Sequence, residues 1–163
     1  MMKKVTFLLL PLLAFSCAEK PSTEEDTAKL LQVYAQQRKA HFGKDAKAMF
    51  ANSSPEMISV NAGKINVSSG SSDVEAFQNY FNSVDFKKWD DVKPPVIRFS
   101  EDHSLAYTVV DKLVVLTTKD SLGRNIEETT HYAWVSIYPK QKDGNWLLEC
   151  IASTNEPEKV VPL

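Results

Sequence analysis

Leu105-Ala106-Tyr107-Thr108-Val109-Val110-Asp111-Lys112-Leu113-Val114-Val115-Leu116-Thr117-Thr118 is the stretch whose reading decides the fold. It holds no glycine or proline and is rich in β-branched side chains, which predicts one long strand. Ile126 to Tyr138 has the same character. Strands of that length cannot stay flat, because right-handed twist accumulates, so the sheet must curl around something. The first is apolar on both faces: Leu105, Tyr107, Val109, Leu113 and Val115 on one, Ala106, Val110, Val114 and Leu116 on the other. One face can be covered by the chain's own helices; the other calls for a partner, of which a second copy is the simplest.

Working outward, Asp120-Ser121-Leu122-Gly123 and Asp143-Gly144 are turns, and Trp146 to Thr154 reads as a further strand. Upstream, Val96 to Phe99 is a strand behind the break at Pro94-Pro95, with Trp89 before it in an edge strand or a loop. Before these the pattern changes to helical spacing. Ser72-Asp73-Val74-Glu75 has the form of a capping box, and Val74, Phe77, Tyr80, Phe81 and Val84 form an apolar stripe. Met57 to Val60 and Ile65 to Val67 flank Asn61-Ala62-Gly63-Lys64 as a hairpin. Thr27 to Phe42 is an amphipathic helix stopped at Gly43; Asp45 caps a short helix from Ala46 to Ala51, closed by Pro55. Helices first and long strands after predict an α+β domain, a curved antiparallel sheet of a hairpin and a four-strand meander around three helices.

The N-terminus reads as an export signal: Lys3 and Lys4, an apolar run from Val5 to Phe15, then Ser16 and Cys17. The run is shorter than the roughly 20 residues of a membrane span. Leu12-Leu13-Ala14-Phe15-Ser16-Cys17 resembles the lipobox of bacterial lipoproteins, which implies cleavage before Cys17, lipid on that cysteine and a place in the bacterial cell envelope. The expected layout is signal peptide 1–16, lipidated cysteine and linker 17–26, domain 27–155 and tail 156–163. Of 2 cysteines, Cys150 then has no disulfide partner and reads as a small buried apolar residue. Loss of Lys3 and Lys4 takes the formal charge from -2 to -4, and no basic stripe is present, so nucleic acid is not an expected partner. With 3 histidines not at helical metal spacing, and 5 scattered glycines, neither a metal nor a phosphate-bound cofactor is expected.

Lys44-Asp45-Ala46-Lys47-Ala48-Met49-Phe50 after the first helix, Asp102-His103-Ser104-Leu105-Ala106-Tyr107 entering the long strand, and Asp143-Gly144-Asn145-Trp146-Leu147-Leu148 entering the last occur in an order that resembles the nuclear transport factor 2-like superfamily, in particular its SnoaL-like branch. The resemblance covers about residues 27 to 155. It implies a cone-shaped sheet with an internal pocket, and often a dimer packed through the outer sheet face. It does not imply one activity, because its members include ketosteroid isomerase, polyketide cyclases, dehydratases and domains that only bind. The isomerase's general-base aspartate and its oxyanion pair find no clear counterparts here.

Candidates for chemistry come from polar residues at apolar positions. At about 100° per residue, Arg38 and His41 fall on the stripe of Leu30, Leu31, Tyr34 and Phe42, and Asp45 would continue it. Arg38, His41 and Asp45 either line a polar cavity or serve as an ion pair and a helix cap. Asp111 interrupts an apolar strand face: a proton carrier, or the partner of a salt bridge, for instance with Arg38. His131 lies opposite Tyr132 and Trp134 across the strand. Trp134 and Tyr107 are pocket walls or core. The leading expectation is a membrane-anchored domain that binds a small organic molecule or another protein, with Arg38, His41, Tyr107, Asp111 and Trp134 at the ligand; the alternative is an isomerase, cyclase or dehydratase using His41, Asp45 or Asp111.

Overall fold

In the computed structural model, which describes residues 22–68 and 70–163, a curved eight-stranded sheet wraps three helices of the N-terminal half. The expected signal segment and Cys17 lie outside the described residues.

Helix α1 (Thr23–Gly43) begins four residues ahead of Thr27, so residues 23–26 are helix and not linker. Ser22 is the reason: its hydroxyl accepts from the Glu25 backbone N–H at 3.1 Å, and Glu24, Glu25 and Asp26 suit the positive end of the helix dipole. Lys44 ends α1 in the left-handed region, and Asp45 accepts from the Ala48 N–H at 2.9 Å to open α2 (Ala46–Phe50). Helix α3 (Ser71–Ser83) clamps that corner, with Gln78 donating to the Lys44 carbonyl at 2.9 Å and accepting from the Ala46 N–H at 3.2 Å. Its N-cap is Gly70, so Ser72 lies inside the first turn and Glu75 just beyond it, and Ser72 is not the expected N-cap.

The hairpin of β1 (Ser53–Asn61) and β2 (Lys64–Val67) turns through Ala62 and Gly63, at φ 45° and 73°. Two successive left-handed residues are what a tight hairpin requires, and glycine meets that without strain. Pro55 does not close the helical segment but sits in β1, where register against β7 (Leu148–Asn155) shifts between Ser53 and Ile58.

The remaining strands are β3 (Asp85–Asp91), β4 (Val96–Phe99), β5 (Leu105–Lys119), β6 (Asn125–Pro139) and β8 (Lys159–Pro162). Their order is β2-β1-β7-β6-β5-β3, with β4 also on β5 and β8 also on β6. The sheet is antiparallel except where β1 runs parallel to β7, a junction the hairpin-plus-meander reading lacks. Trp89 belongs to an edge strand, β3, and the expected 156–163 tail supplies β8.

Along β5 burial alternates: Ala106, Thr108, Val110, Lys112, Val114 and Leu116 point inward, while Leu105, Tyr107 and Val109 are exposed on the outer face. At the narrow end, Leu30 and Val33 of α1 pack on Ala106, Tyr138, Trp146 and Leu148; toward the wide end, Val84 and Trp89 pack on Val114 and Leu116.

An ion pair fixes α1 at the narrow end. Asp26 is 0% exposed and receives two bonds from Lys140 Nζ at 2.8 and 2.9 Å, with His103 Nδ1 at 3.3 Å. Burial alone would raise the Asp26 pKa, but hydrogen bonds from Lys140 and His103 outweigh it and hold the carboxyl below its usual value. Asp26→Asn leaves Lys140 short of its counter-charge and is expected to cost about 3 kcal/mol, whereas Glu25→Gln next to it, which loses only a surface pair with Lys29, costs within about 0.5 kcal/mol. Urea denaturation at neutral pH checks the contrast, and equal losses would contradict this account of the anchor.

Candidate functional site

The curl of the sheet leaves a cavity of about 350 Å³ between its concave face and the helices. Gln37 and His41 of α1 and Phe77 and Tyr80 of α3 form its roof, Phe86 and Trp89 of β3 one wall, and Tyr132, Trp134 and Ser136 of β6 with Ile151 and Ser153 of β7 its floor. Met49, Phe50 and Met57 narrow it from the side of α2 and β1.

His41 is 6% exposed. Its Nδ1 lies 2.7 Å from the Gln37 carbonyl oxygen, and a carbonyl can only accept, so Nδ1 carries the proton. The ring stacks on Trp89 at 4.2 Å and meets the edges of Phe81 and Phe86 at 5.2 Å each. Burial, with a smaller push from the Lys112 charge, lowers its pKa to about 4, against a bond to the Gln37 backbone that works the other way. His41 is therefore a neutral imidazole at pH 7.

Lys112 is the group that sequence reasoning missed. At 2% exposure its ammonium lies 3.6 Å from the Trp89 ring centroid and 2.6 Å from Asp91, its cross-strand neighbour on β3. Two groups this close to one indole cannot share a face, so Trp89 is held between His41 and Lys112. It separates the cavity from an outer pocket lined by Tyr34, Arg38, Asp90, Asp91 and Lys112. Burial lowers the Lys112 pKa, and Asp91 opposes that shift. The only available signal was an alternation in which Lys112 shares a parity with Ala106, Val110 and Val114.

The sequence candidates separate. His41 and Trp134 line the cavity. Arg38 does not: its side chain is 53% exposed, and its Nε and Nη2 both donate to Asp90 Oδ1, at 3.0 and 2.9 Å, because the long stem lets the guanidinium leave the stripe for the rim. Its partner is Asp90, not Asp111. Asp45 is an exposed helix cap. Asp111 and Tyr107 are on the outer face, where Asp111 bonds His131 Nε2 while Glu156 approaches Nδ1 at 3.4 Å. Those carboxylates raise the His131 pKa, Asp111 foremost. Cys150 is half-buried rather than core. Among the described residues no cluster of His, Cys, Asp and Glu is arranged to hold a metal.

No family model and no curated protein matches the sequence. Solved structures do. A nuclear transport factor 2-like protein from Cytophaga hutchinsonii is 12% identical, covering 83% of this chain and 100% of that one at a TM-score of 0.60. The chain has the nuclear transport factor 2-like fold. A ketosteroid isomerase-like protein from Erwinia carotovora atroseptica is 16% identical over 80% of this chain and 96% of its own, TM-score 0.60, and the association domain of C. elegans CaMKII is 15% identical over the same shares, TM-score 0.55. At these identities the likeness covers the nuclear transport factor 2-like fold and not the chemistry, which rests on the side chains above.

The neutral state of His41 has a pH signature. Its folded pKa lies below the unfolded 6.5, so nothing is lost above that pH; as pH falls from 6.5 to about 4 the unfolded chain takes up a proton that the folded one refuses, and stability drops. The loss is on the order of 3 kcal/mol. His131 has the opposite sign: its raised pKa stabilises below pH 6.5 and that contribution fades as pH rises, weakly at its exposed site. Denaturation of wild type and His41→Phe from pH 7 to 4 is expected to show wild type losing stability relative to the variant as pH falls; parallel curves would mean that His41 titrates in the fold as it does in the unfolded chain.

Proposed function

We propose that this domain binds a small, largely apolar molecule in the cavity under α1 and α3. What supports the reading is the composition of the walls: aromatic and aliphatic side chains with a few hydroxyls, one amide pair and a neutral imidazole, and no carboxylate, ammonium or guanidinium among the described lining residues. A volume of about 350 Å³ lies within the usual range of small-molecule sites, which are apolar with few placed polar groups. Proton transfer of the isomerase, cyclase or dehydratase kind asks for two titratable groups at one ligand position. Here Asp45 and Asp111 are elsewhere, burial pushes the Tyr80 hydroxyl up to about 12, and His41 stands without an acidic partner, so the geometry favours binding over catalysis.

Because Trp89 and Trp134 both face the cavity, their fluorescence reports occupancy. Flat apolar compounds are expected to quench it saturably in wild type, and Ser153→Trp, which fills the floor, is expected to weaken binding at least tenfold while the protein stays folded. Unchanged binding in that variant would remove the cavity as the site.

The lipid anchor is the second part of the proposal, supported by the apolar run from Val5 to Phe15 ending at Ser16-Cys17. A diacylated Cys17 would hold the domain firmly to an envelope membrane, each buried methylene contributing about 0.8 kcal/mol. Labelled palmitate is expected to enter the wild-type chain and not Cys17→Ser, and the variant is expected to move to the soluble fraction. Equal labelling of both would contradict the anchor.

A further inference from the structure

We infer that the molecule bound in this cavity is a neutral, flat compound carrying a hydroxyl or N–H donor, and that Nε2 of His41 is the acceptor that selects it. The inference rests on the cavity reading above and adds the polarity of the ligand.

It starts from the imidazole. The Nδ1 edge is turned back onto α1 and donates to the Gln37 carbonyl at 2.7 Å, so the far edge, with Nε2, is presented away from that helix. A second proton there would place a cation against an indole whose other face already carries the Lys112 ammonium, 3.6 Å from the ring centroid. Nε2 is therefore a lone pair, and among the described residues no protein donor reaches it. That nitrogen is not sealed off, since the buried side-chain nitrogen left without a partner among the described residues is Trp146 Nε1, so a ligand donor in the cavity can reach it and take the place of water.

The other polar groups of the cavity do not impose a direction, since the Gln37 and Asn61 amides each offer both a donor and an acceptor. Ser59, Ser136 and Ser153 sit on three adjacent strands, β1, β6 and β7, and a hydroxyl rotates to give or accept. They tolerate a second polar group at the floor without choosing its kind. His41, with its one N–H turned onto α1, is the lining group that offers the cavity an acceptor and no donor, which makes it the specificity-determining residue. The walls set the shape: with the faces of Trp89 taken by His41 and Lys112, its edge and the rings of Trp134, Phe77 and Phe86 make an aromatic lining suited to a planar body. A carboxylate is rejected twice, by the lone pair of Nε2 and by a lining that offers it no cation among the described residues.

Three probes of nearly one shape separate the terms: 2-naphthol, a neutral donor; 2-methoxynaphthalene, which has lost the donor; and 2-naphthoate, an anion. Titrated into the purified full chain by tryptophan fluorescence, with Ser153→Trp in parallel to subtract partitioning elsewhere, 2-naphthol is expected to bind about tenfold tighter than the ether, and the anion weakest. His41→Phe keeps a ring beside Trp89 and is expected to erase the preference while still binding the ether. The wild-type comparison shows that the cavity offers an acceptor, because a phenol entering a site without one loses its bond to water and binds more weakly than its ether, and the loss of preference in His41→Phe assigns that acceptor to His41. If the ether binds as well as 2-naphthol or better, or if the preference survives in His41→Phe, the inference is overturned and the cavity reading stands. If none of the probes binds, or all bind Ser153→Trp undiminished, the cavity reading fails and the inference with it. Should His41→Phe not fold, the Nε2 resonance of labelled wild type decides: it is expected to move with 2-naphthol and not with the ether, and a resonance unmoved by 2-naphthol overturns the role of His41.

Discussion

The pairing of β5 with β6, unbroken from Leu105–Pro139 to Lys119–Asn125, is the constraint from which the rest of the molecule follows. A ladder of this length twists until its sheet curls, and the curl defines an inside. Once it exists, parity does the remaining sorting, since a shift of one residue would exchange the two faces. The register observed sends Ala106 and Thr108 under α1 and Lys112 toward Trp89, and it leaves Tyr107 and Asp111 outside. A buried lysine then needs a counter-charge, and β3 meets that need because its register places Asp91 directly opposite. Trp89, two residues earlier on the same edge strand, becomes the wall between lysine and histidine.

Charges around the cavity are settled at its margins. Arg38 meets Asp90, Lys112 meets Asp91, and Lys44 meets Asp85, all through carboxylates of β3, while Asp26 and Lys140 close the far end. The strongly charged strand Asp-Phe-Lys-Lys-Trp-Asp-Asp thus serves two ends at once: its acids take up cations from α1, the α1–α2 corner and β5, and its two aromatics face inward. A cavity lining without charged side chains among the described residues is the outcome, and burial there, with the Lys112 charge beyond Trp89, keeps His41 un-ionised.

The long strands were legible because their β-branched runs have no competing helical period, and α3 because its stripe is regular; on α1 the buried face is Leu30, Val33, Tyr34, Gln37, Ala40 and His41, so Leu31 and Phe42 of the expected stripe are exposed. β3 was legible only as an edge strand or loop around Trp89, since charges fill most of its length and edge strands are where charge is tolerated. β8 was not, as Lys-Val-Val-Pro after Pro157 looks like a tail until Ile126 to Thr129 is seen to offer it an edge. At the site, helical spacing placed Arg38 and His41 on one stripe but could not show that a guanidinium reaches past the rim while an imidazole cannot. A lysine inside a strand reads as solvated unless its partner is known, and Asp91 lies 21 positions away in sequence, so of the adjacent pair Asp111 and Lys112 the sequence makes the carboxylate the more visible.

All of this converges on one ionisation state. Nitrogen NMR of the histidine side chains as a function of pH tests it directly: the account predicts that His41 remains neutral and protonated at Nδ1 down to about pH 4, while His131 titrates above its ordinary value. A His41 that is an imidazolium at pH 6, or whose proton resides on Nε2, would contradict it.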